Sequence, residues 1–256
     1  MGIVHWQKIA LAPRDPIISI SQLYKEDPNP AKINLSIGTY RTEDSQSFVF
    51  SSVRQAAESA HQAVQRLERE YSPMEGYEEF NRQAFRLLFG QSAVSDKTSV
   101  TVQTLAGTGA IDLGAAFLGK FFEGRRQVFI SRPSWINYYC IFSNYRFEVA
   151  TYRYYDAATK RFDAGGFFDD LAKLPEHSVV MFQPCGHNPA SVQPSPDDWQ
   201  VISAIVREKK MLPFFDTAYH GLCSPGADMA ADLYPVRLFA EQGHLMLVSQ
   251  SFSKNM

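Results

Sequence analysis

Apolar positions along most of the chain alternate between two patterns. From about residue 99 onward, short and almost wholly apolar runs alternate with segments whose apolar residues recur every three or four positions. The apolar runs predict strands at SVTVQTL, RQVFISR, FEVATYRYY, SVVMFQPC, MLPFFDTAY and HLMLVSQSF. Between them, helices are predicted at GTGAIDLGAAFLGKFF, INYYCIFSNY, FDAGGFFDDLAKL, PDDWQVISAIVREKK and VRLFAEQG. This order predicts an α/β protein with a mainly parallel central sheet and helices on both faces.

The first hundred residues follow a different pattern. A short helix is predicted in DPIISISQLYKED, and a strand that ends in a turn is predicted in INLSIGTYRTEDSQ. Between them, the loop DPNPAK holds two prolines and is a candidate hinge. Residues 53–88 have helical spacing, which breaks at YSPMEGY and ends at Gly90 as a C-terminal cap.

Composition and charge exclude several classes of protein. The chain is 45% hydrophobic and carries a net charge of −2, with no long block of like charge. We therefore expect a globular protein that binds neither nucleic acid nor an acidic membrane by bulk electrostatics. No apolar stretch reaches the roughly 18 to 20 residues of a membrane helix, and the first residues lack the pattern of a signal peptide. Three cysteines without a C-x-x-C pair favour a reducing compartment, so a cytoplasmic location is expected.

Polar side chains and glycines follow the predicted strands, where ligands bind in an open α/β sheet. They are Gly107, Thr108, Gly109, Trp135, His187, Asn188, Asp216, Tyr219, Ser251, Ser253 and Lys254. Together they suit a phosphorylated aromatic cofactor, because glycines at a helix start bind phosphate and aromatic rings stack. Taken singly, each has a structural alternative: a tight turn for AGTGA, a core position for Trp135, a cap for Asp216 and a solvated surface for Lys254. His187 and His220 lie near cysteines but not at zinc-ligand spacing, so no metal site is expected.

The joint pattern of short motifs resembles the aspartate aminotransferase family. The matching segments, in family order, are INLSIGTYRTED, EYSPMEGYEEF, LAGTGAI, SRPSWINY, HNP, LPFFDTAYHG and SQSFSKN. The resemblance runs from about Ala12 to the last residue. It implies a fold-type I enzyme that uses pyridoxal 5′-phosphate (PLP).

The resemblance implies a role for each residue around the cofactor ring. Lys254 would carry the cofactor covalently and later move the substrate proton. Asp216 would pair with the pyridine nitrogen and keep it protonated. Asn188 and Tyr219 would hydrogen-bond the ring oxygen, and Trp135 would pack on the ring face.

Further roles concern the phosphate, the substrate and a second subunit. Gly107, Thr108 and Ser251 would hold the phosphate. Tyr71 would reach the phosphate in the other subunit, which makes a homodimer with shared active sites part of the chemistry. Gly38, together with Trp135 and Asn188, would contact the substrate.

The sequence departs from the family at three places. Ala106 stands where the family often has a small polar residue or glycine, and Ala190–Ser191 stands where it has Thr-Gly. Tyr138 replaces a histidine that supports the pyridine-pairing aspartate, and a phenol offers only one hydrogen-bond donor. Pro133 and Pro189 align with prolines that follow cis peptide bonds.

The resemblance implies an aminotransferase that converts aspartate and 2-oxoglutarate to oxaloacetate and glutamate. An aromatic or broad-specificity aminotransferase of the same subgroup is the alternative, and a non-catalytic fragment acting as an interaction module is a third. The arginines with which the family binds the phosphate and the dicarboxylate follow the lysine and are absent from this sequence. We therefore expect residues 1–45 to be an arm and part of a small domain. Residues 46–256 would be a PLP-binding domain that is incomplete at its C-terminus.

Overall fold

The computed structural model describes residues 8–11, 16–65, 70–90 and 98–255. The chain divides into two compact units, Met1–Gln55 and Ala56–Met256. The first unit contains helix α1 (Pro16–Glu26), as its apolar spacing predicts.

The predicted strand in INLSIG is wrong. Its residues form no strand, and an isolated antiparallel bridge between Arg41 and Ser47 closes the turn that follows. The physical reason is that the described part of this unit has no second strand with which the segment could form a ladder.

Helix α2 (Ser51–Val64) spans the division between the units. Its predicted continuation over residues 66–69 lies outside the described residues. The other α-helices of the described residues are α3 (Glu78–Phe89), α4 (Ala106–Phe121), α5 (Asn137–Asn144), α6 (Ala164–Lys173), α7 (Pro196–Glu208) and α8 (Met229–Glu241). Helix α3 ends at Gly90, whose N–H donates to the Arg86 carbonyl.

The second unit is built on a parallel sheet of five strands. The strands are β1 (Gln127–Arg132), β2 (Glu148–Arg153), β5 (Val179–Phe182), β6 (Leu212–Thr217) and β7 (Leu247–Gln250), in the order β2-β1-β5-β6-β7. All four neighbouring pairs are parallel. A separate two-stranded antiparallel pair, β3 (Tyr155–Asp156) and β4 (Arg161–Phe162), was not predicted.

Two apolar cores cover the two faces of this sheet. Alternate residues of a strand point to opposite faces, so Val128 and Ile130 of β1 lie in one core and Phe129 lies in the other. The first core is completed by α4 and α5, and the second by α3, α6, α7 and α8. The predicted fold class, a mainly parallel sheet with helices on both faces, is confirmed.

Two predicted elements differ from the structure. The segment SVTVQTL forms no strand, because it pairs with no strand of the sheet. A cavity of about 860 Å³ is lined by residues 98–104 and by β7 with its flanking residues. Helix α8 begins earlier than the predicted VRLFAEQG, because the Asp228 carboxylate accepts hydrogen bonds from the N–H groups of Ala230 and Ala231 and caps it.

Within the described residues, every helix is too short or too polar to span a lipid bilayer.

Candidate active site

The order of the strands places a crevice where the direction of sheet construction reverses. From β1 the chain goes to β2 on one side, and it later returns to add β5 on the other side. The carboxyl ends of neighbouring parallel strands flank such a crevice, which is where ligands bind in this class of sheet. Residues after β1, β5, β6 and β7 therefore come together at one edge.

Asp216 lies near the end of β6 and is hydrogen-bonded to a tyrosine from helix α5. The Tyr138 hydroxyl, on a fully buried ring, donates to Asp216 Oδ2 at 2.5 Å. Burial raises the pKa of Asp216 to about 6, while the hydrogen bond from Tyr138 and the positive charge of Lys254 act in the opposite direction. At neutral pH this carboxyl is therefore mostly ionised, and among the described residues its hydrogen-bond donor is the buried Tyr138 phenol.

Gln183 is a residue of this region that the sequence interpretation missed. It directly follows β5, and its side chain is almost fully buried. Its Oε1 accepts from the backbone N–H of Asn188 at 2.6 Å, and its side chain interacts with Tyr138, which acts to lower the pKa of that phenol. Gln183 thus connects the Asn188 loop to the Tyr138–Asp216 pair. A polar residue at the end of the apolar run VVMF was the available signal.

Lys254 lies in a turn just beyond β7, and this turn is held by one hydrogen bond to the end of β6 and one to the loop that follows β6. The Ser251 N–H donates to the Thr217 carbonyl at 3.0 Å, and the Asn255 side-chain amide donates to the His220 carbonyl at 2.8 Å. The Lys254 ammonium nitrogen lies 5.1 Å from the centre of the Tyr219 ring. An amine, a phenol and a carboxyl are thereby brought to one place by β6 and β7.

The first turn of α4 presents backbone N–H groups without a side-chain cap. Its N-cap is Leu105, and the turn contains no acidic residue. Gly107 lies against Ser251: a Cβ on this glycine would be 2.9 Å from the Ser251 Cβ. Thr108, one residue later, is exposed. An uncapped helix start beside a serine hydroxyl is suited to an anion such as a phosphate.

Trp135 and Asn188 lie in the loops that follow β1 and β5. The Trp135 ring packs edge-on against Tyr138, with 5.3 Å between ring centres, and it is partly exposed. Both loops contain the expected cis peptide bonds, at Arg132–Pro133 and at Asn188–Pro189. Ser191, in the departure from the family pattern, has a positive φ of 55°, and its N–H donates to the His187 carbonyl.

Two further predicted site residues are exposed in the single chain. Tyr71 is fully exposed. Gly38 lies in the first compact unit and is also exposed.

The two histidines of interest are buried. His187 stacks on Tyr154, with 3.9 Å between ring centres, and shares a 2.7 Å hydrogen bond with Ser131. Burial lowers the pKa of His187 to about 4, so it is neutral at physiological pH. Burial also lowers the pKa of His220. Neither belongs to the one group of potential metal ligands among the described residues, which is Cys185, Cys223 and Asp232.

The residues of the crevice fit PLP in their chemistry. The partly buried Asp216 offers a carboxylate to a protonated ring nitrogen, and Lys254 offers a primary amine beside it. The first turn of α4 offers uncapped N–H groups to a phosphate, and Gly107 in this turn packs against Ser251. A ring-pairing acid, an amine and an anion-binding helix start are the three groups that this cofactor requires.

Nearly the whole chain is similar in sequence and in structure to known proteins. The family described as aminotransferase class I and II matches residues 30–256. The mitochondrial aspartate aminotransferase of Xenopus tropicalis is 39% identical over 253 residues, which are 98% of this chain and 58% of that protein. The cytoplasmic aspartate aminotransferase of Saccharomyces cerevisiae superposes with a TM-score of 0.88 at 34% identity, covering 98% of this chain and 61% of the other. The broad-specificity aminotransferase of Leishmania mexicana superposes with a TM-score of 0.89 at 35% identity, with the same coverage. The chain thus spans about three fifths of the length of these proteins.

Proposed function

We propose that the protein is a PLP-dependent enzyme that transfers the amino group of aspartate to 2-oxoglutarate, since this chain belongs to the class I and II aminotransferases. The observation that supports this most is the grouping of Lys254, Tyr219 and Asp216 at the ends of β6 and β7. An amine held beside a phenol and a partly buried acid is the arrangement that this chemistry needs.

Asp216, Asn188 and Tyr219 would hold the cofactor ring. When bound, PLP supplies a ring that withdraws electrons from the substrate α-carbon. The Asp216 carboxylate would keep a proton on the pyridine nitrogen, and the buried Tyr138 would keep that carboxylate in place. The side chains of Asn188 and Tyr219 would donate to the ring oxygen, while Trp135 would cover one face of the ring.

Gly107, Thr108 and Ser251 would bind the phosphate. The backbone N–H groups at the start of α4 and the Ser251 hydroxyl are the donors, and the positive end of the helix dipole favours the dianion. Binding energy at the phosphate orients the rest of the cofactor without taking part in the chemistry.

Lys254 would carry the cofactor between turnovers and move a proton during them. Its amine would accept the proton that leaves the substrate α-carbon and would then donate this proton to C4′ of the cofactor. The hydrogen bonds from Ser251 and Asn255 fix the turn that carries it, which would limit the search of a long, flexible side chain.

The protein would act as a homodimer on amino-acid and 2-oxo-acid substrates. In this proposal Tyr71 completes the phosphate site of a second copy, which accounts for a tyrosine that is fully exposed in the single chain. Gly38 would contact the substrate. Residues 1–45 would act as arm and small-domain segment, residues 46–256 would form the cofactor domain, and the location would be the cytoplasm.

Attachment of the cofactor to Lys254 is the first test. The protein is incubated with PLP, reduced with borohydride and digested, and the modified peptide is identified by mass. We expect one adduct on Lys254, which is lost in Lys254→Ala and kept in Lys173→Ala, a change of an exposed lysine in α6. An adduct on another lysine, or none, would contradict the proposal.

A broad-specificity aminotransferase is the second candidate, favoured by the similarity to the Leishmania mexicana protein. The two are separated by comparing kcat/KM for aspartate with that for tyrosine and phenylalanine, with 2-oxoglutarate as the acceptor. A ratio above about a hundred, or roughly 3 kcal/mol, indicates the aspartate enzyme. Comparable values for both classes of substrate indicate the second candidate.

A further inference from the structure

Two cysteines face each other where the loops after β5 and β6 meet. Cys185 lies three residues beyond β5 and is 1% exposed, and Cys223 lies six residues beyond β6 and is partly exposed. Their sulfur atoms are within 4.8 Å of each other. Because β5 and β6 are neighbouring parallel strands, their following loops are held side by side by the sheet.

The backbone is shaped to let these sulfurs approach. Gly186 has a φ of +56°, and a Cβ at this position would be 2.7 Å from the Cys223 sulfur and 2.8 Å from the Tyr219 Cβ. Any side chain at residue 186 would therefore push the two loops apart. The glycine is required here by the close approach of Cys223 and Tyr219.

The two thiols have unequal chemistry. The Cys223 thiol donates to the Tyr219 carbonyl at 3.2 Å. The interaction between the two cysteines lowers the pKa of Cys223 and raises that of Cys185, and burial raises the pKa of Cys185 further. Cys223 is also the more exposed of the two. An accessible sulfur with a lowered pKa beside a buried second thiol is the usual arrangement of a peroxide-sensitive pair.

Asp232 lies close enough to make a third metal ligand, but its oxygen atoms are already engaged. Oδ2 accepts from the backbone N–H groups of Gly221 and Cys223, and Oδ1 accepts from the Ser224 hydroxyl at 2.5 Å. This carboxylate, 1% exposed, holds the turn 221–224 that presents Cys223. Asp232 therefore acts by positioning Cys223, and its oxygen atoms are not free for a metal ion.

We propose that Cys185 and Cys223 form a reversible disulfide when the protein meets a peroxide. The Cys223 thiolate attacks one peroxide oxygen, the O–O bond breaks, and the products are a sulfenic acid and hydroxide, which becomes water. The Cys185 sulfur then attacks the Cys223 sulfur, the S–S bond forms, and the S–O bond breaks with loss of a second water. Two thiols thus lose two electrons and two protons to one hydrogen peroxide, and a dithiol reductant reverses the change.

The disulfide would join the loop that leads to Asn188 to the turn that begins at Tyr219. An S–S bond is about 2 Å long, so one or both segments must move for it to form. The effect on the cofactor rests on the proposed function: because both residues would hold the ring oxygen, we expect several-fold weaker PLP binding after oxidation.

The test uses the cofactor-free reduced protein, titrated with hydrogen peroxide and then alkylated and digested with trypsin. Trypsin cleaves at Arg207, Lys209 and Lys210, between the two cysteines, so the link appears as peptide 174–207 joined to peptide 211–237. We expect this joined pair to form and to disappear on treatment with dithiothreitol. Oxidation of the exposed Cys140 without the joined pair would overturn the proposal.

Three variants assign the roles of the thiols. Cys140→Ser should form the same link as the unaltered protein. Cys185→Ser should accumulate a sulfenic acid at Cys223, detected as its dimedone adduct, and Cys223→Ser should leave Cys185 as a thiol. A dimedone adduct on Cys185 in the last variant would overturn the assigned order of the two thiols. The peptide mapping of the unaltered protein does not depend on whether any of these variants folds.

A PLP titration of the reduced and oxidised forms separates this inference from the proposed function. If the disulfide forms but neither the reduced nor the oxidised protein binds PLP, the proposed function is refuted and the reversible disulfide is still supported. A link that leaves PLP affinity unchanged would overturn the effect on the cofactor.

Discussion

The Tyr138 hydroxyl donates to Asp216 Oδ2 at 2.5 Å, which joins helix α5 to the end of strand β6. The donor is a neutral phenol, whereas the family that the sequence resembles carries a histidine at this place. A phenol cannot carry positive charge at neutral pH, so it stabilises the ionised acid by a single hydrogen bond. Lys254 supplies the positive charge that acts on Asp216 in this structure.

Removal of this hydroxyl should make Asp216 harder to ionise. In Tyr138→Phe the pKa of Asp216 should rise above its value of about 6, because the hydrogen bond that favours the carboxylate is lost while burial remains. A hydrogen bond to a charged group is worth about 1.5 kcal/mol or more, so the shift should be about one pH unit or larger. The pH below which the affinity for PLP falls should rise by the same amount. Affinity measured across pH checks this, with Tyr139→Phe, which alters an exposed neighbour, as control.

Replacement of the acid itself should stabilise the cofactor-free protein at alkaline pH. Because the folded-state pKa of Asp216 is raised, its favourable contribution is present below about pH 4 and is lost as the pH rises through about 6. Asp216→Asn should therefore match the unaltered protein at pH 4. At pH 8 it should be more stable, by at most about 3 kcal/mol.

Urea unfolding at the two pH values measures this difference. Glu123→Gln, a change of an exposed acid, serves as control and should show no such change between the two pH values. Equal stability of Asp216→Asn and the unaltered protein at pH 8 would show that burial does not disfavour the carboxylate.

A methyl group at Gly107 should interfere with the phosphate site. The added Cβ would be 2.9 Å from the Ser251 Cβ, so Ser251 or the start of α4 must shift. We expect Gly107→Ala to weaken PLP binding by about tenfold or more and to affect pyridoxal, which lacks the phosphate, much less. Gly109→Ala is the matched control, because its Cβ would make an ordinary 3.5 Å contact with Leu105. Similar losses for both ligands would place the effect in the fold and not at the phosphate.

Gly114 is needed where helix α4 crosses the sheet. A Cβ there would be 2.5 Å from the ring of the buried Phe214, so Gly114→Ala should destabilise the protein by about 1–3 kcal/mol. Gly165→Ala in α6 adds a Cβ with no atom within 4 Å and should instead stabilise it, by up to about 1 kcal/mol, through helix propensity. Chemical denaturation of the two variants checks the opposite signs.

The apolar runs that became strands are those with a neighbour in the sheet. SVVMFQPC and MLPFFDTAY were predicted correctly because β5 and β6 lie inside the sheet and are apolar on both faces. SVTVQTL has equal strand character, but pairing depends on a partner that local sequence does not specify. The residues of the crevice were predictable because each follows a strand, and the end of a strand can be identified in the sequence from the end of an apolar run. Gln183 and the contact between Cys185 and Cys223 were not, because they depend on how the loops lie against each other.

The order of the strands also has a consequence for synthesis on the ribosome. β1 and β2 are made first and are neighbours, and β5, β6 and β7 each add to the edge left by the strand made just before on that side. Among the described strands, none has to enter between two that are already paired, so this part of the sheet can grow in one direction as the chain emerges. The Asn188 loop is therefore made before Tyr219, and Tyr219 is made before Lys254, so these three parts of the crevice are added in the order of the strands that carry them.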